Sequence, residues 1–280
     1  GGALYTDIMK LSFAAGGSVQ VLRTRLAGEL LGGMDERNGS LRLATKTQES
    51  DGADAAQISL HVLDGSLSVT GSAPWSQAPR STGSMYYVGD TAYVGAADEG
   101  ALLAAFDLSD PHEPRLVQPT GIQTLPDALV PLSDTLAAGI SCTAGDTAGL
   151  RVSLYRTQGD SPKQLTSLLL GEDGSYCEAT RTAGALLYDA KEGILGFPAM
   201  VTADSGAQSM QKEFGGYYVF RVSDESLTLA GRIEGDSFDP GDEIRRGVCV
   251  NGILYTASER TITSVDVGTL SLIDTLQWKS

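Results

Sequence analysis

The sequence has 280 residues, of which 34 are glycine, 41% are apolar and 6% are aromatic. A chain of this length buries roughly 75% of its unfolded surface, which is enough for a full domain. Its formal net charge of −15 at pH 7 repels phosphate backbones and anionic lipid headgroups, so a nucleic-acid partner is not expected. No apolar run reaches the ~20 residues of a membrane-spanning helix.

Short strands separated by turns are predicted from one end of the chain to the other. The stretch DIMKLSFAAGGSVQVL, from Asp7, is typical of a strand, a polar turn and a second strand, and this outline returns later. It returns at the junctions Leu63-Asp64, Phe106-Asp107, Tyr155-Arg156, Phe220-Arg221 and Val265-Asp266. A tight turn followed by a short alternating strand precedes most of them, at 38–45, 89–96, 133–141 and 251–258.

The full repeating unit is therefore strand, tight turn, strand, strand, longer turn, strand, with a period of roughly 45 to 60 residues. Four strands per unit is the blade of a β-propeller, and radial repetition avoids the edges that a large open sheet exposes. We predict an all-β propeller with five complete blades, at 31–75, 80–121, 124–171, 174–235 and 243–278. Residues 4–30 predict the outer two strands of another blade. Phe106 and Leu102 are expected to pack between blades. We expect residues 1–280 to form a single domain, a fragment of a larger propeller whose natural chain continues before Gly1.

Five segments carry a resemblance to a known family. They are MDERNGSLRLAT (34–45), DLSDPHEPRLV (107–117), LLGEDGSYCEA (169–179), GGYYVFRVS (215–223) and RGVCVNGILYTAS (246–258). In this order they resemble the secreted bacterial and archaeal β-propeller proteins that are distantly related to WD repeats. The resemblance implies a C-terminal propeller on an exported or cell-surface protein without an established activity. The chain departs from the family pattern at Gly32-Gly33, where bulkier residues are expected, and near Ala183, where a histidine is expected.

Motifs for catalysis are missing from the sequence. His61 lies in a predicted strand and His112 in a predicted turn, and neither has the partners of a nucleophile–base set. The usual phosphate-binding loops are absent, and no closely spaced His and Cys residues could hold zinc. Cys142, Cys177 and Cys249 are interpreted as free, with a Cys142–Cys177 pair between neighbouring blades as the alternative. The sequence therefore predicts that the protein is not an enzyme.

The densest run of carboxylates, EGDSFDPGDE at 234–243, is the one candidate for a metal site. Asp236, Asp239 and Asp242 are the weak candidate ligands for a hard cation such as calcium, but their spacing departs from the D-x-[DN]-x-[DN]-G loop. A solvated turn between blades is the favoured interpretation, so no cofactor is expected. With 35 Asp and Glu residues, a carboxylate pair suited to glycoside hydrolysis also stays open as an alternative.

Innermost strands line the channel of a propeller, so charged residues there are candidates for ligand binding. Arg42 lies within the strand SLRLAT, Glu178 follows a turn where a blade begins, and Arg246, Asp35 and Glu36 lie near the starts of innermost strands. We expect these groups to meet in the channel or at its mouth. They would either bind a small polar or anionic ligand or form a buried network that fixes blade register.

These observations favour a non-catalytic extracellular binding or scaffold module over two alternatives. Its expected partner is a protein or glycan at the surface of a bacterial cell, and its export signal or anchor is expected outside this chain. The alternatives are a carbohydrate-active enzyme that uses carboxylates at the channel mouth, and a calcium-dependent binding module.

Overall fold

The computed structural model describes residues 4–48, 55–80, 82–96, 102–117, 125–143, 148–157, 162–204, 210–235 and 243–278. Within these ranges the regular structure consists of β-strands and two 3₁₀ helices, and no α-helix is present. The strands belong to two compact units. Unit 1 contains residues 1–125 and 157–162, and unit 2 contains residues 126–156 and 163–280.

Unit 1 contains a hairpin and two four-stranded antiparallel sheets. The hairpin consists of β1 (Tyr5–Phe13) and β2 (Val19–Ala27). The first sheet consists of β3 (Glu29–Arg37), β4 (Ser40–Gln48), β5 (Ala55–Leu63) and β6 (Val69–Pro79). The second consists of β7 (Thr82–Val88), β8 (Thr91–Ala96), β9 (Leu102–Asp107) and β10 (Arg115–Val117). In both sheets each strand pairs with the next strand along the chain.

Unit 2 contains three antiparallel sheets. The first consists of β11 (Ala128–Pro131), β12 (Leu136–Thr143), β13 (Gly149–Arg156) and β14 (Lys163–Leu170). The second consists of β15 (Tyr176–Cys177), β16 (Leu187–Asp189), β17 (Ile194–Asp204), β18 (Met210–Val222) and β19 (Leu227–Glu234). The third consists of β20 (Arg246–Val250), β21 (Ile253–Ala257), β22 (Thr261–Asp266) and β23 (Leu272–Gln277).

The second sheet of unit 2 departs from the simple blade in its first strand. The 3₁₀ helices Glu178–Thr180 and Ala183–Ala185 divide this strand into β15 and β16, which both pair with β17. Four of the five predicted blade ranges contain one sheet each, and residues 4–30 contain the hairpin. The first sheet runs from Glu29 to Pro79 and extends beyond its predicted range, 31–75, at both ends. The prediction of an all-β fold of antiparallel four-stranded blades with a half blade at the start is confirmed. That residues 1–280 form a single domain stays a prediction.

Local turn chemistry explains why the sequence repeats are visible. Asn38-Gly39 and Asn251-Gly252 adopt positive φ angles, 53° and 81° in the first turn and 51° and 77° in the second. These angles give the two-residue hairpin turn that matches strand twist, and Asn and Gly adopt them with little strain. Both turns therefore join the first two strands of a sheet, β3 to β4 and β20 to β21.

An aspartate closes the longer turn between the third and fourth strands of three sheets. Asp64 Oδ1 accepts hydrogen bonds from the Ser66 and Ser68 amides, at 2.8 and 3.0 Å. Asp107 Oδ1 accepts from the Ser109 amide at 3.0 Å, and Asp266 Oδ1 accepts from the Thr269 amide at 2.8 Å. Hydrogen bonds to the ionised form hold the pKa of all three carboxyls below the usual value.

The predicted packing of Phe106 between neighbouring blades agrees with the structure. Phe106 is fully buried, and its cluster joins Ile58 and Trp75 of the sheet β3–β6 with Tyr87 and Val94 of the sheet β7–β10. Leu102, predicted to share this position, has a side chain outside the described residues. The apolar contact between these two sheets forms the main core of unit 1.

Gly32 is the one departure from the family pattern that the structure explains. The register of β3 against β4 shifts between Leu31 and Asp35, and Gly32 adopts a φ of 68° in this bulge. A Cβ atom on Gly32 would lie 2.9 Å from Cβ of Met85 on β7. A bulkier residue would therefore push β3 away from β7.

Candidate functional site

Arg42 lies at the centre of a polar network in unit 1. Its Nε donates to Asp35 Oδ2 at 2.8 Å, its Nη2 donates to the same oxygen, and its Nη1 donates to the Gly89 carbonyl at 2.8 Å. The guanidinium lies 4.0 Å from Asp90 Oδ1 and 5.6 Å from the centre of the Tyr87 ring. Because only 6% of the Arg42 side chain is exposed, this network joins the sheet β3–β6 to the sheet β7–β10 from within.

The groups around Arg42 satisfy one another. Burial raises the pKa of the Tyr87 phenol; the charge of Arg42 opposes this shift and that of Asp35 adds to it. Glu36 takes no part in the network, since its Oε1 accepts from the Gly39 amide at 2.9 Å in the turn after β3. The structure thus brings Asp35 and Arg42 together. Their arrangement is the buried network that the sequence analysis gave as the alternative to a ligand site. Their role in binding a ligand stays a prediction.

The two predicted site residues of unit 2 bond to near neighbours in sequence. Glu178 begins the first 3₁₀ helix and accepts from the Thr182 hydroxyl at 3.3 Å. Arg246 is exposed at the start of β20, and its Nη1 donates to the Arg245 carbonyl at 2.7 Å. Glu178 lines a cleft in unit 2. The arginine that lines the same cleft is Arg245, the residue before Arg246.

This cleft opens in unit 2 between the sheet β15–β19 and the segment that precedes β20. Tyr176 pairs with Met200 and Met200 pairs with Gly215, so these three residues form a row across the sheet at its floor. Gly215 has no side chain and contributes only backbone to this row. Pro198, Ala199 and Ile244 complete the apolar side chains of the lining, and the cavity volume is about 50 Å³.

Charged groups gather around this apolar floor. They are Glu178, Glu243 and Arg245. Burial raises the pKa of the Tyr176 phenol, the charges of Glu243 and Glu178 raise it further, and those of Arg181 and Arg245 oppose the shift. The phenol is therefore a hydrogen-bond donor at neutral pH. Arg245 Nη2 lies 3.5 Å from Glu259 Oε1, whereas among the described residues no ion pair engages Glu178 or Glu243.

The sequence analysis missed Tyr176, Glu243 and Arg245. The sequence analysis named Arg246, whereas its neighbour Arg245 lines the cleft. Successive residues of an extended chain direct their side chains to opposite sides. The start of β20 sets this direction, where the Arg245 amide donates to the Ala257 carbonyl at 2.8 Å. Glu243 was visible only as the last residue of the acidic run.

The two histidines lie in a strand and in a turn, and each contacts nearby residues of the fold. Nε2 of His61 lies 3.2 Å from the Thr45 hydroxyl, and burial lowers the pKa of His61. This histidine is therefore neutral at pH 7 and packed within the sheet. His112 lies in the turn after β9, where its amide donates to Asp110 Oδ1 at 2.9 Å.

Cysteine and metal chemistry have little support in the described residues. Cys142, Cys177 and Cys249 are unpaired. Burial raises the pKa of Cys177 to about 12, which suppresses the reactive thiolate. No group of three or more His, Cys, Asp or Glu in the described ranges could hold a metal ion. The candidates Asp236, Asp239 and Asp242 lie outside the described residues.

The four-stranded antiparallel blades define this protein as a β-propeller. A family model described as "Beta propeller domain" matches residues 2–270, and the chain belongs to that family. Among the described residues, no helix has the length and apolar character needed to cross a membrane.

Relatives and solved structures resemble this chain at low identity. An uncharacterized protein of Methanocaldococcus jannaschii is 25% identical over 279 residues, which is 99% of this chain. The chain spans 41% of the length of that relative. A putative 6-phosphogluconolactonase from Bacteroides uniformis is 11% identical, with 98% of this chain and 96% of that chain covered and a TM-score of 0.39. Kluyveromyces lactis Hsv2p is also 11% identical, with 89% and 63% covered and a TM-score of 0.46. Likeness at this level carries no argument about activity.

Proposed function

We propose that this protein is a non-catalytic binding module, secreted or at the cell surface, whose cleft in unit 2 receives a cationic group of a protein or glycan partner. One observation carries this proposal: Glu178 and Glu243 line a common cleft, and no ion pair among the described residues engages either of them. Two carboxylates without a basic partner attract an ammonium or guanidinium group. The net charge of −15 attracts such a partner over a longer distance.

The size of the cleft supports a single inserted group over a whole ligand. Ligand pockets usually measure about 300–1,000 Å³, and this cavity has a volume of about 50 Å³. The apolar floor of Met200 and Pro198 suits the methylene stem of a lysine side chain or the face of an amino sugar. The phenol of Tyr176 supplies a neutral donor beside the two carboxylates.

The experiment compares probes that differ only in the charge of one amine. An array presents lysine peptides with their acetyl-lysine counterparts, and glucosamine oligomers with their N-acetylated counterparts. We expect retention of the free amines only, with binding that weakens as salt is raised. Glu243→Gln should weaken binding by about tenfold or more, since a charge-assisted hydrogen bond contributes about 1.5–3 kcal/mol.

A matched control separates the cleft from the general acidity of the surface. Glu225→Gln removes one negative charge from an exposed turn of unit 2, where the carboxylate lies 3.3 Å from Arg156. This variant should bind the free amines as the unchanged protein does. Equal retention of free and acetylated probes, or equal losses in the Glu243 and Glu225 variants, would overturn the proposal.

The same carboxylate pair supports a second candidate, a carbohydrate-active enzyme. Glycoside hydrolysis needs two carboxyl groups on either side of the scissile bond, and Glu178 and Glu243 line one cleft. Release of reducing sugar from a polysaccharide panel, lost in both Glu178→Gln and Glu243→Gln, would favour the enzyme. Binding of intact amino-sugar oligomers without cleavage would favour the module.

A further inference from the structure

Charges of both signs surround the cleft of unit 2. Glu178, Glu243 and Arg245 contribute to its lining. The charges of all three act on the pKa of the Tyr176 phenol, and so does that of Arg181. Two carboxylates and two guanidiniums therefore lie around one neutral hydrogen-bond donor, and their formal charges cancel. This balance suits a ligand that carries both signs of charge.

The guanidinium of Arg245 is free to bind an anion from outside. Its one ion pair among the described residues joins Nη2 to Glu259 Oε1 at 3.5 Å, and the two side chains are 48% and 63% exposed. Exposed pairs of this kind contribute little free energy, so a ligand carboxylate can replace Glu259 at small cost. Arginine presents its N–H donors as a planar fork that matches both oxygens of a carboxylate.

A simple cation would satisfy only part of this cleft. Glu178 and Glu243 would attract it, but it would also lie near the like charge of Arg245. Like charges repel strongly where water is partly excluded, and a carboxylate on the same ligand converts this repulsion into an attraction. The ammonium group of the proposed function therefore fits best when a carboxylate accompanies it.

We propose that the ligand group is the head group of an α-amino acid, which carries an ammonium and a carboxylate on one carbon. The ammonium bonds to Glu178 and Glu243, and Arg245 and the phenol of Tyr176 hold the carboxylate. This inference rests on the proposed function, because it names the cationic group that the cleft receives. The head group belongs to a free amino acid or to the end of a longer chain, since both present the same two charges.

The apolar lining and the size of the cleft limit the rest of the ligand. Pro198, Met200 and Ile244 lie beside the charged groups. The cavity volume of about 50 Å³ is far below that of a pocket that encloses a drug-sized molecule. The head group therefore enters alone, and a longer chain attached to it extends out of the cleft.

The test immobilises lysine through its side-chain amine, so that the α-ammonium and the α-carboxylate point toward the protein. Two matched probes carry the same lysine with its α-amine acetylated or with its carboxyl group converted to an amide. We expect retention of the unmodified head group. Each modified probe should bind more weakly by about tenfold or more, since each loses one charge-assisted interaction.

Calorimetry distinguishes the two sources of the head group. It compares free lysine with lysine acylated at its side-chain amine, which mimics attachment to a longer chain. Tighter binding of free lysine identifies a free amino acid as the ligand. Equal or tighter binding of the acylated form identifies a head group at the end of a longer chain.

Two neighbouring arginines supply a matched pair of variants. Arg245→Gln removes the guanidinium of the cleft and should abolish the difference between the unmodified and the amidated probe. Arg246→Gln removes an equal charge from the adjacent exposed residue, whose Nη1 donates to the Arg245 carbonyl, and should leave that difference unchanged. Circular dichroism establishes that both variants keep their strands.

The outcomes separate this inference from the proposed function. If the amidated probe binds as tightly as the unmodified head group and the acetylated probe does not bind, the cleft receives a simple cation and only this inference is overturned. If acetylation of the amine has no effect, or no probe is retained, the proposed function fails as well. Equal effects of Arg245→Gln and Arg246→Gln would overturn the role of Arg245 in holding the carboxylate.

Discussion

Replacing Asp35 by alanine should destabilise unit 1 strongly, because it leaves the guanidinium of Arg42 buried without its counter-ion. Arg42 has a side chain that is 6% exposed, and Asp35 has one that is 30% exposed. Removing one partner of a buried pair costs about 3–5 kcal/mol. Since water reaches part of this pair and the Gly89 carbonyl stays in place, we expect the lower end, about 3 kcal/mol.

The reverse change should cost less. Arg42→Met leaves a partly exposed carboxylate that water can solvate, and methionine retains much of the apolar contact with Tyr87. We expect Arg42→Met to lower the free energy of unfolding by about 1–2 kcal/mol. The double variant, with Asp35→Ala and Arg42→Met, should lose less than the sum of the two single losses, by about 1 kcal/mol or more. Urea unfolding followed by the fluorescence of Trp75, which lies in the same sheet, measures all three.

Asp7→Ala is the matched control. This change breaks an ion pair at the surface, in which the Arg25 side chain is 62% exposed and the Asp7 side chain 66%. Because such exposed pairs contribute little to stability, the urea midpoint should stay unchanged. If Asp35→Ala also leaves the midpoint unchanged, the network contributes nothing to the fold. That result would favour ligand binding by Asp35 and Arg42, the other of the two alternatives in the sequence analysis.

Phe106→Ala should cost about 3–5 kcal/mol in urea unfolding, because it opens a cavity between two sheets; a loss below about 1 kcal/mol would contradict this packing. The folded-state pKa values of Asp64, Asp107 and Asp266 are lowered, so their contribution to stability is complete above the unfolded pKa and is lost as pH falls through the folded pKa. At pH values below about 4, the free energy of unfolding should therefore decrease as the pH falls. It should decrease less steeply in a variant with asparagine at all three positions, and equal slopes for the two proteins would refute this. Calcium should not govern stability: melting curves in EDTA and in millimolar calcium should coincide, whereas a filled site would add about 2.7 kcal/mol at 100 times its Kd. A calcium-dependent shift that Asp239→Ala abolishes would restore the acidic run as a metal site.

The sequence by itself determined the strands and their grouping into blades of four, except in the blade 174–235, whose first strand is divided into β15 and β16. These features depend on local chemistry, because Asn38-Gly39 forms its turn from its own backbone preferences and Asp64 closes its turn with amides two and four residues away. Such signals recur with each blade and can be counted along the chain. The fold class could therefore be predicted without a single long-range contact.

The tertiary structure alone decided which polar residues meet in the cleft of unit 2. The pairing of Asp35 with Arg42 was within reach of the sequence, because they lie opposite one another on adjacent strands joined by a tight turn. The cleft was not, because Tyr176, Gly215 and Arg245 approach only after the sheet β15–β19 packs beside the segment before β20. Packing between sheets depends on the shape of side chains far apart in the sequence, and on single positions such as Gly32 where no Cβ atom fits. The alternation of residues along one strand gives no information about the shape of distant side chains or about positions where no Cβ atom fits.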